Sequence, residues 1–265
     1  MNRKTYAFAC AFGLSGLLSY YAFPAKNAPS IQPPVEVKSA LHETEQNGLA
    51  TEDPATLEEQ IRAVNDIASA AGIGPELLDK NPLFNYVISD DNIVELNVKE
   101  CRLPYLDISR LHGLRQLFVF GCGLESIDGI ENCRDLESLT LWGNKLKQVQ
   151  GISGLKKLKT LHLMANQLSE IDVTDCTSLE NLTIAYNNIS KVEGMSTLCN
   201  LSRYNAIHNK LCGACGTANL PYLKTVLLVS NPLQDFHDLR LLCRKGVVVK
   251  TSYPEKLKDA GLEIF

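Results

Sequence analysis

The 265-residue chain is 21% charged and 45% hydrophobic, a composition typical of a folded globular protein. Its formal net charge at pH 7 is −4 and it contains no clustered basic stripe, so the sequence argues against a nucleic-acid partner. The length is sufficient for one sizeable domain with short appendages.

Residues 1–25 predict an export signal. Arg3 and Lys4 precede an apolar run over residues 6–23, and Pro24 then interrupts it. A positive start followed by an apolar run is typical of a secretory signal peptide. Because the run approaches the length of a membrane span, an uncleaved signal anchor is the alternative. Either reading makes the protein extracytoplasmic (secreted, periplasmic or membrane-anchored), with membrane contact only through this segment if it stays uncleaved.

Residues 26–53 predict a flexible linker, and residues 54–92 a helical N-terminal cap. The linker is rich in Pro, Glu, Ser, Thr and Asn and lacks apolar periodicity. In the cap, Thr56 and Glu59 fit a helix capping box, and Gly72 ends the helical run. Apolar residues recur on one helical face, and we expect them to shield the adjacent core from water. They are Leu57, Ile61, Val64 and Ile67, joined by Leu77, Leu78, Leu83 and Phe84.

From Ile93 onward the sequence repeats every 21 or 22 residues. Seven units fit the pattern L-x-x-L-x-L-x-x-N/C-x-L. The alternation within each unit predicts a short strand with its leucines on one face. Stacked strands form a parallel sheet whose inward leucines share one core, which predicts an α/β solenoid over residues 93–246. The units are IVELNVKECRL, LRQLFVFGCGL, LESLTLWGNKL, LKTLHLMANQL, LENLTIAYNNI, LSRYNAIHNKL and LKTVLLVSNPL.

The ninth position of each unit predicts a structural ladder. Where a strand turns away, backbone groups lose their sheet partners, and an inward carboxamide can donate to and accept from neighbouring turns. Cysteine replaces asparagine in the first two units, and we interpret it as a small buried residue rather than a reactive thiol. The ladder comprises Cys101, Cys122, Asn144, Asn166, Asn187, Asn209 and Asn231.

Cys212 and Cys215 form a C-x-x-C motif in the sixth unit. The motif suggests a redox pair or half of a metal site, but zinc would need two further ligands and only His208 is near in sequence. We interpret the motif as a structural pair and leave open whether it forms a disulfide. The sequence has no nucleophile elbow, phosphate loop, metal-binding helix or carboxylate pair, so we expect no catalytic residue, metal or cofactor.

Residues 247–265 predict a C-terminal cap. Val247, Val248 and Val249 fall where the next strand is due. The tail to Phe265 is expected to close that edge of the sheet, which would otherwise invite pairing with another chain.

The repeat pattern resembles the 22-residue class of leucine-rich repeats, typified by bacterial internalins and by a regulatory subunit of protein phosphatase 1. The resemblance extends over roughly residues 93–243. It implies a curved solenoid with the parallel sheet on its concave face and short helical, 3-10 or irregular return segments. It also implies binding without catalysis. The pairing of these repeats with an export signal is more similar to the bacterial surface proteins.

The outward positions of the strands predict a partner-binding surface. In the seventh position of the units, large apolar residues stand where solvent-facing strand positions normally carry polar ones. Trp and Phe are favoured anchors at protein interfaces. The alternative is that this row packs against a loop, the linker or a second copy of the chain. The candidate partner-binding residues are Phe118, Phe120, Trp142, Met164, His162, Tyr186, Arg203, Asn205 and Ile207.

The sequence therefore predicts a non-catalytic exported protein that binds a protein partner through its concave sheet face. An envelope-structural or self-associating protein is one alternative, which light scattering would detect. A carbohydrate-binding protein is another, because it would also use aromatic platforms. Parallel screening against glycans and proteins would separate these two.

Overall fold

The structure is a computed structural model that describes residues 55–74, 81–214 and 216–260. The expected export signal and linker, Leu77, Leu78, Cys215 and the end of the expected C-terminal cap, residues 261–265, lie outside these residues. Within the described ranges the chain stacks repeating units along one parallel sheet and one continuous core. The solenoid expected from the repeat is therefore confirmed.

Two helices, thirteen strands and three 3-10 helices make up the described chain. The helices are α1 (Leu57–Ala70) and α2 (His237–Arg244), and the 3-10 helices are Ile130–Asn132, Met195–Thr197 and Pro254–Ala260. The strands are β1 (Phe84–Ser89), β2 (Asn92–Lys99), β3 (Tyr105–Asp107), β4 (Gln116–Phe120), β5 (Ser126–Asp128), β6 (Ser138–Thr140), β7 (Thr160–His162), β8 (Glu170–Asp172), β9 (Asn181–Thr183), β10 (Lys191–Glu193), β11 (Arg203–Asn205), β12 (Thr225–Leu227) and β13 (Val248–Lys250).

Nine strands form the main sheet, in the order β1-β2-β4-β6-β7-β9-β11-β12-β13. From β2 to β13 every neighbouring pair is parallel, and equivalent positions of successive units face each other. Leu139 thus pairs with Leu117 on one side and Leu161 on the other, and all three are buried. The return segments form two smaller parallel pairs, β3 with β5 and β8 with β10. Strands on one side and return segments on the other enclose the core.

A column of asparagines runs through the interior where the units turn out of the main sheet. Asn144 Nδ2 donates to the carbonyls of Val119 (3.0 Å) and Leu141 (3.1 Å). Its Oδ1 accepts from the backbone N–H groups of Cys122 and Leu124, both at 3.1 Å. Each carboxamide therefore ties its own turn to the preceding unit. The same arrangement recurs at Asn166, Asn187, Asn209 and Asn231, which are between 3% and 9% exposed.

The residue before each ladder position has a left-handed backbone conformation. Its φ lies between 48° and 70° in all seven units, although only two of these residues are glycines. Such φ values are uncommon for residues other than glycine and persist only where the surrounding contacts stabilise them. In the five asparagine units, the hydrogen bonds of the following ladder residue stabilise this backbone conformation. The seven residues are Glu100, Gly121, Gly143, Ala165, Tyr186, His208 and Ser230.

Helix α1 covers the first edge of the core. Thr56 is its N-cap, and the capping box with Glu59 is present. Val64 and Ile67 pack into the core, as the helical face predicts. A buried glutamine, which the apolar pattern does not reveal, fastens the helix to the sheet: Gln60 Oε1 accepts from the Ile93 N–H at 2.9 Å.

The segment between α1 and the first unit differs from the predicted helical cap over residues 54–92. The helix ends at Ala70, and strand β1 pairs antiparallel with β2. Asp90 and Asp91 join the two strands with φ of 52° and 58°, the left-handed pair that suits the twist of a tight hairpin. Phe84 is fully buried, whereas Leu83 is 37% exposed and does not shield the core.

At the other end, β13 continues the main sheet where the valine run predicts a strand. It pairs parallel with β12, and α2 lies between these two strands in the sequence. Leu239 and Leu242 of this helix are fully buried. Val248 of β13, at the last edge of the sheet, is 52% exposed.

Glycines allow the return segments to stack closely. Gly129 and Gly194 precede 3-10 helices in left-handed conformations, with φ of 85° and 74°. A Cβ at either position would lie 2.3 Å from a backbone nitrogen of the preceding unit, that of Ser109 or of Thr174. Only glycine fits these two sites without moving the neighbouring turn.

Gly194→Ala should therefore lower the free energy of unfolding by about 3 kcal/mol or more, through backbone strain together with steric overlap. Gly154→Ala is the matched control, since Gly154 has a φ of 83° but no atom within 4 Å of an added Cβ. It should lose only about 1–2 kcal/mol. Denaturant unfolding of the two variants measures the difference, and equal losses would show that close stacking does not constrain this turn.

Candidate partner-binding face

The side of the main sheet that points away from the core, here called the outward face, carries the candidate residues. Along β4, burial alternates from Gln116 to Phe120, with Leu117 and Val119 inside and the two phenylalanines half-buried. The alternation of inward and outward positions expected from the sequence is therefore present in this strand. Trp142, just beyond β6, is also half-buried.

Three aromatic side chains form one cluster on this face, here called the aromatic patch (Phe118, Phe120 and Trp142). The ring centroids of Phe120 and Trp142 are 4.8 Å apart with a tilt of 46°. Those of Phe118 and Phe120 are 6.5 Å apart with a tilt of 51°. Tilted rings at these separations have favourable quadrupole interactions, so the rings hold one another in place.

A charged group borders the aromatic patch. The Lys99 ammonium lies 5.1 Å from the centroid of the Phe118 ring, within cation–π range. Beside it, Gln116 Nε2 donates to Glu95 Oε1 at 3.3 Å on neighbouring strands. Apolar rings thus adjoin a mixed polar border. Lys99 was absent from the sequence-based candidates, although the same register places it in the row of Phe120.

A second aromatic pair lies further along the solenoid. The rings of Tyr186 and His208 stack with centroids 4.6 Å apart and an interplanar angle of 27°. Both residues have the left-handed φ that precedes a ladder asparagine. This turn directs the asparagine inward and leaves the preceding side chain on the surface. His208 was also absent from the candidate set, although its position directly before the ladder residue Asn209 predicts that its side chain lies on the surface.

Two candidate residues expose too little surface to act as anchors. Met164 is 7% and Asn205 is 5% exposed, so the expectation that they present contact surface was wrong. Strands about 4.8 Å apart place neighbours on both sides of an outward side chain, which can cover it. Asn205 Oδ1 also accepts from the N–H of Ile207 at 3.2 Å, which draws its side chain onto the backbone.

Of the remaining candidates, His162 lies on β7, between the units of the two aromatic groups, whereas Arg203 and Ile207 belong to the same unit as His208. Arg203 is exposed, and His162 and Ile207 are half-buried. Burial lowers the pKa of His162 below its ordinary value, and the positive charge of Arg203 lowers it further. His162 is therefore neutral at neutral pH, and Arg203 supplies the positive charge near it.

The described residues provide no group of three or more His, Cys, Asp or Glu side chains that could hold a metal ion. In the same ranges, no helix has the length and apolar character needed to cross a membrane.

Comparison with known proteins identifies the repeats. The family described as Leucine Rich repeats (2 copies) matches residues 134–175. An internalin (inlF) from Listeria monocytogenes is similar over 77% of this chain and 60% of its own, with 21% identity and a TM-score of 0.57. The chain thus spans less than two thirds of that protein. No curated protein sequence matches it.

Two further solved structures show weaker similarity. Internalin C2 from the same bacterium is 17% identical, with coverage of 77% and 100% and a TM-score of 0.47. A plant peptide hormone receptor, RGFR1, in complex with RGF2 is 27% identical, with coverage of 47% and 22% and a TM-score of 0.42. The parallel stacking of the units, the family match and the similarity to inlF show that the fold of this chain is a leucine-rich-repeat solenoid of the internalin-like type.

Proposed function

We propose that this protein, an internalin-like leucine-rich-repeat solenoid, binds a protein partner on the outward face of its main sheet and catalyses no reaction. The observation that carries the proposal is the aromatic patch. Phe118, Phe120 and Trp142 form a contiguous apolar surface on strands where solvent-facing positions are normally polar. Large aromatic side chains of this kind dominate the binding energy of protein interfaces.

The support beneath the patch favours recognition. Inward neighbours on β4, Leu117 and Val119, are at most 1% exposed, and Asn144 ties the turn after Trp142 to the preceding unit. A surface that is already ordered loses little conformational entropy when a partner docks. The patch is therefore a preformed anchor site rather than one that must be assembled on binding.

The border of the patch adds selectivity. Lys99 supplies a positive charge next to Phe118, and Gln116 and Glu95 form a hydrogen-bonded polar edge. A central apolar cluster with a polar rim is the usual anatomy of a protein interface. The partner should therefore insert an apolar side chain between the rings and place an acidic or carbonyl oxygen near the Lys99 ammonium.

The test uses the full chain and two double variants. Phe120→Ala/Trp142→Ala removes the patch, and Tyr105→Ala/Tyr222→Ala removes aromatic side chains that are 49% and 62% exposed elsewhere. Proteins captured by the wild type from the producing cells are identified and titrated against each purified variant. Loss of two such anchors should weaken binding by about 100-fold or more. The control should bind normally, and thermal stability should change by only a few degrees in both variants.

Other outcomes would contradict this proposal. A partner that binds the patch variant as tightly as the wild type would show that the docking site lies elsewhere. Selective retention of glycans on an array by the wild type, without protein capture, would favour a carbohydrate-binding protein. A concentration-dependent dimer in light scattering that the patch variant abolishes would favour self-association.

We propose in addition that the protein works outside the cytoplasm. The support is the order of Arg3 and Lys4, the apolar run over residues 6–23, and Pro24. Residues 1–53 fused to a reporter enzyme that is active only outside the cytoplasm should yield activity in the producing organism. A fusion with Arg and Asp replacing two residues of the apolar run should yield none. Equal activity from both fusions would contradict export by this segment.

A further inference from the structure

Two cysteine thiols lie against each other at the first two ladder positions. Cys101 is half-buried and Cys122 is 1% exposed. Their Sγ atoms are 3.3 Å apart, and the Cys101 thiol donates a hydrogen bond to the Cys122 sulfur. The two residues occupy equivalent positions in consecutive units, so the contact follows from the repeat itself.

The backbone on both sides of the pair is held at the sheet spacing. Lys99 and Phe120 are register partners two residues earlier. Glu100 N donates to Phe120 O at 2.8 Å before the cysteines, and Leu103 N donates to Cys122 O at 2.9 Å after them. Parallel strands lie about 4.8 Å apart, within the range of about 4.4–6.8 Å between the Cα atoms of disulfide-bonded cysteines. Side-chain rotation alone can therefore bring the sulfurs to bonding distance.

The pair differs from the other buried cysteines of the core. Cys133 and Cys176 donate to the backbone carbonyls of Leu111 and Ile152. Burial raises the pKa of the Cys133 thiol to about 12 and that of Cys176 to about 11, which keeps both unreactive.

In the pair, by contrast, the shared hydrogen bond lowers the pKa of Cys122 and raises that of Cys101. The lowered pKa of Cys122 favours its thiolate as the nucleophile of an internal step, and the half-buried Cys101 is the side from which solvent reaches the pair. The thiolate form is the one that reacts with a disulfide.

The geometry points to a modification site: we propose that Cys101 and Cys122 become joined by a disulfide bond when the protein meets a low-molecular-weight disulfide oxidant. These two units lack the asparagine that ties later turns together, and the covalent bond supplies that tie. The proposal assigns a reaction to two residues that the repeat pattern alone predicts to be small buried residues rather than reactive thiols. The inference rests on the fold and is independent of the proposed partner.

The reaction is an ordinary thiol–disulfide exchange in two steps. Cys101, the sulfur that solvent reaches, loses its proton and attacks one sulfur of oxidised glutathione, which forms a mixed disulfide on Cys101 and releases one glutathione thiolate. The second cysteine loses its proton and attacks the mixed disulfide, which forms the Cys101–Cys122 bond and releases the second glutathione. The two protons from the cysteines end on the two glutathione thiols, and the protein is oxidised by two electrons.

The experiment uses full-length protein in which Cys212→Ser and Cys215→Ser remove the C-x-x-C motif. After reduction and exposure to oxidised glutathione, free thiols are alkylated and the unreduced digest is analysed by mass spectrometry. We expect a linked peptide pair that contains Cys101 and Cys122, and a rise in Tm of about 5 °C that reduction reverses. Adding Cys101→Ser should abolish the Tm rise, and adding Cys133→Ser, the matched buried control, should preserve it.

The peptide map alone decides the proposal if a variant fails to fold. Alkylation of both Cys101 and Cys122 in the oxidised, subsequently unfolded protein would overturn it. So would a Tm rise that survives Cys101→Ser, because the stabilisation would then come from another pair.

Discussion

Where the repeat units from β4 to β12 turn out of the main sheet, backbone N–H and C=O groups are still buried. Unpaired groups of this kind are costly, and the buried asparagine carboxamides satisfy them from the side of the next unit. Asn166, for example, donates to Leu141 O at 2.8 Å and accepts from Leu146 N at 3.1 Å. Because Asn166 and these two partners belong to successive units, the asparagine column joins neighbouring units and also satisfies the buried groups of each turn.

The same constraint positions the outward face. Each unit is 21 or 22 residues long and turns out of the sheet at the same position, so equivalent positions fall into rows across the sheet. In such rows, Phe120 at the end of β4 and Trp142 just beyond β6 come to lie side by side with their rings in contact. The proposed recognition surface thus follows from the repeat, because the outward positions are not needed for the core and their residues can vary.

The repeat pattern was sufficient to predict the parallel sheet, its register and the inward leucines, because each is set by periodicity alone. It could not predict the β1–β2 hairpin, since β1 lies outside the repeat and its signal is the short Asp90-Asp91 turn. Nor could it predict the buried role of Gln60, which depends on where α1 docks against Ile93. Periodicity also assigned Met164 and Asn205 to the outward face, but it does not show how much neighbouring side chains cover an outward residue.

The asparagine column is tested most directly by the free energy of unfolding of Asn187→Ala and Asn188→Ala, measured by denaturant titration against the wild type. Asn187 is 9% exposed, donates to Leu163 O at 2.9 Å and accepts from Leu168 N at 3.0 Å, whereas its neighbour Asn188 is exposed. Loss of the buried carboxamide should cost about 2–4 kcal/mol, because several buried backbone groups lose their partner, while Asn188→Ala should cost under about 0.5 kcal/mol. Equal, small losses in the two variants would contradict the view that the column holds the units together.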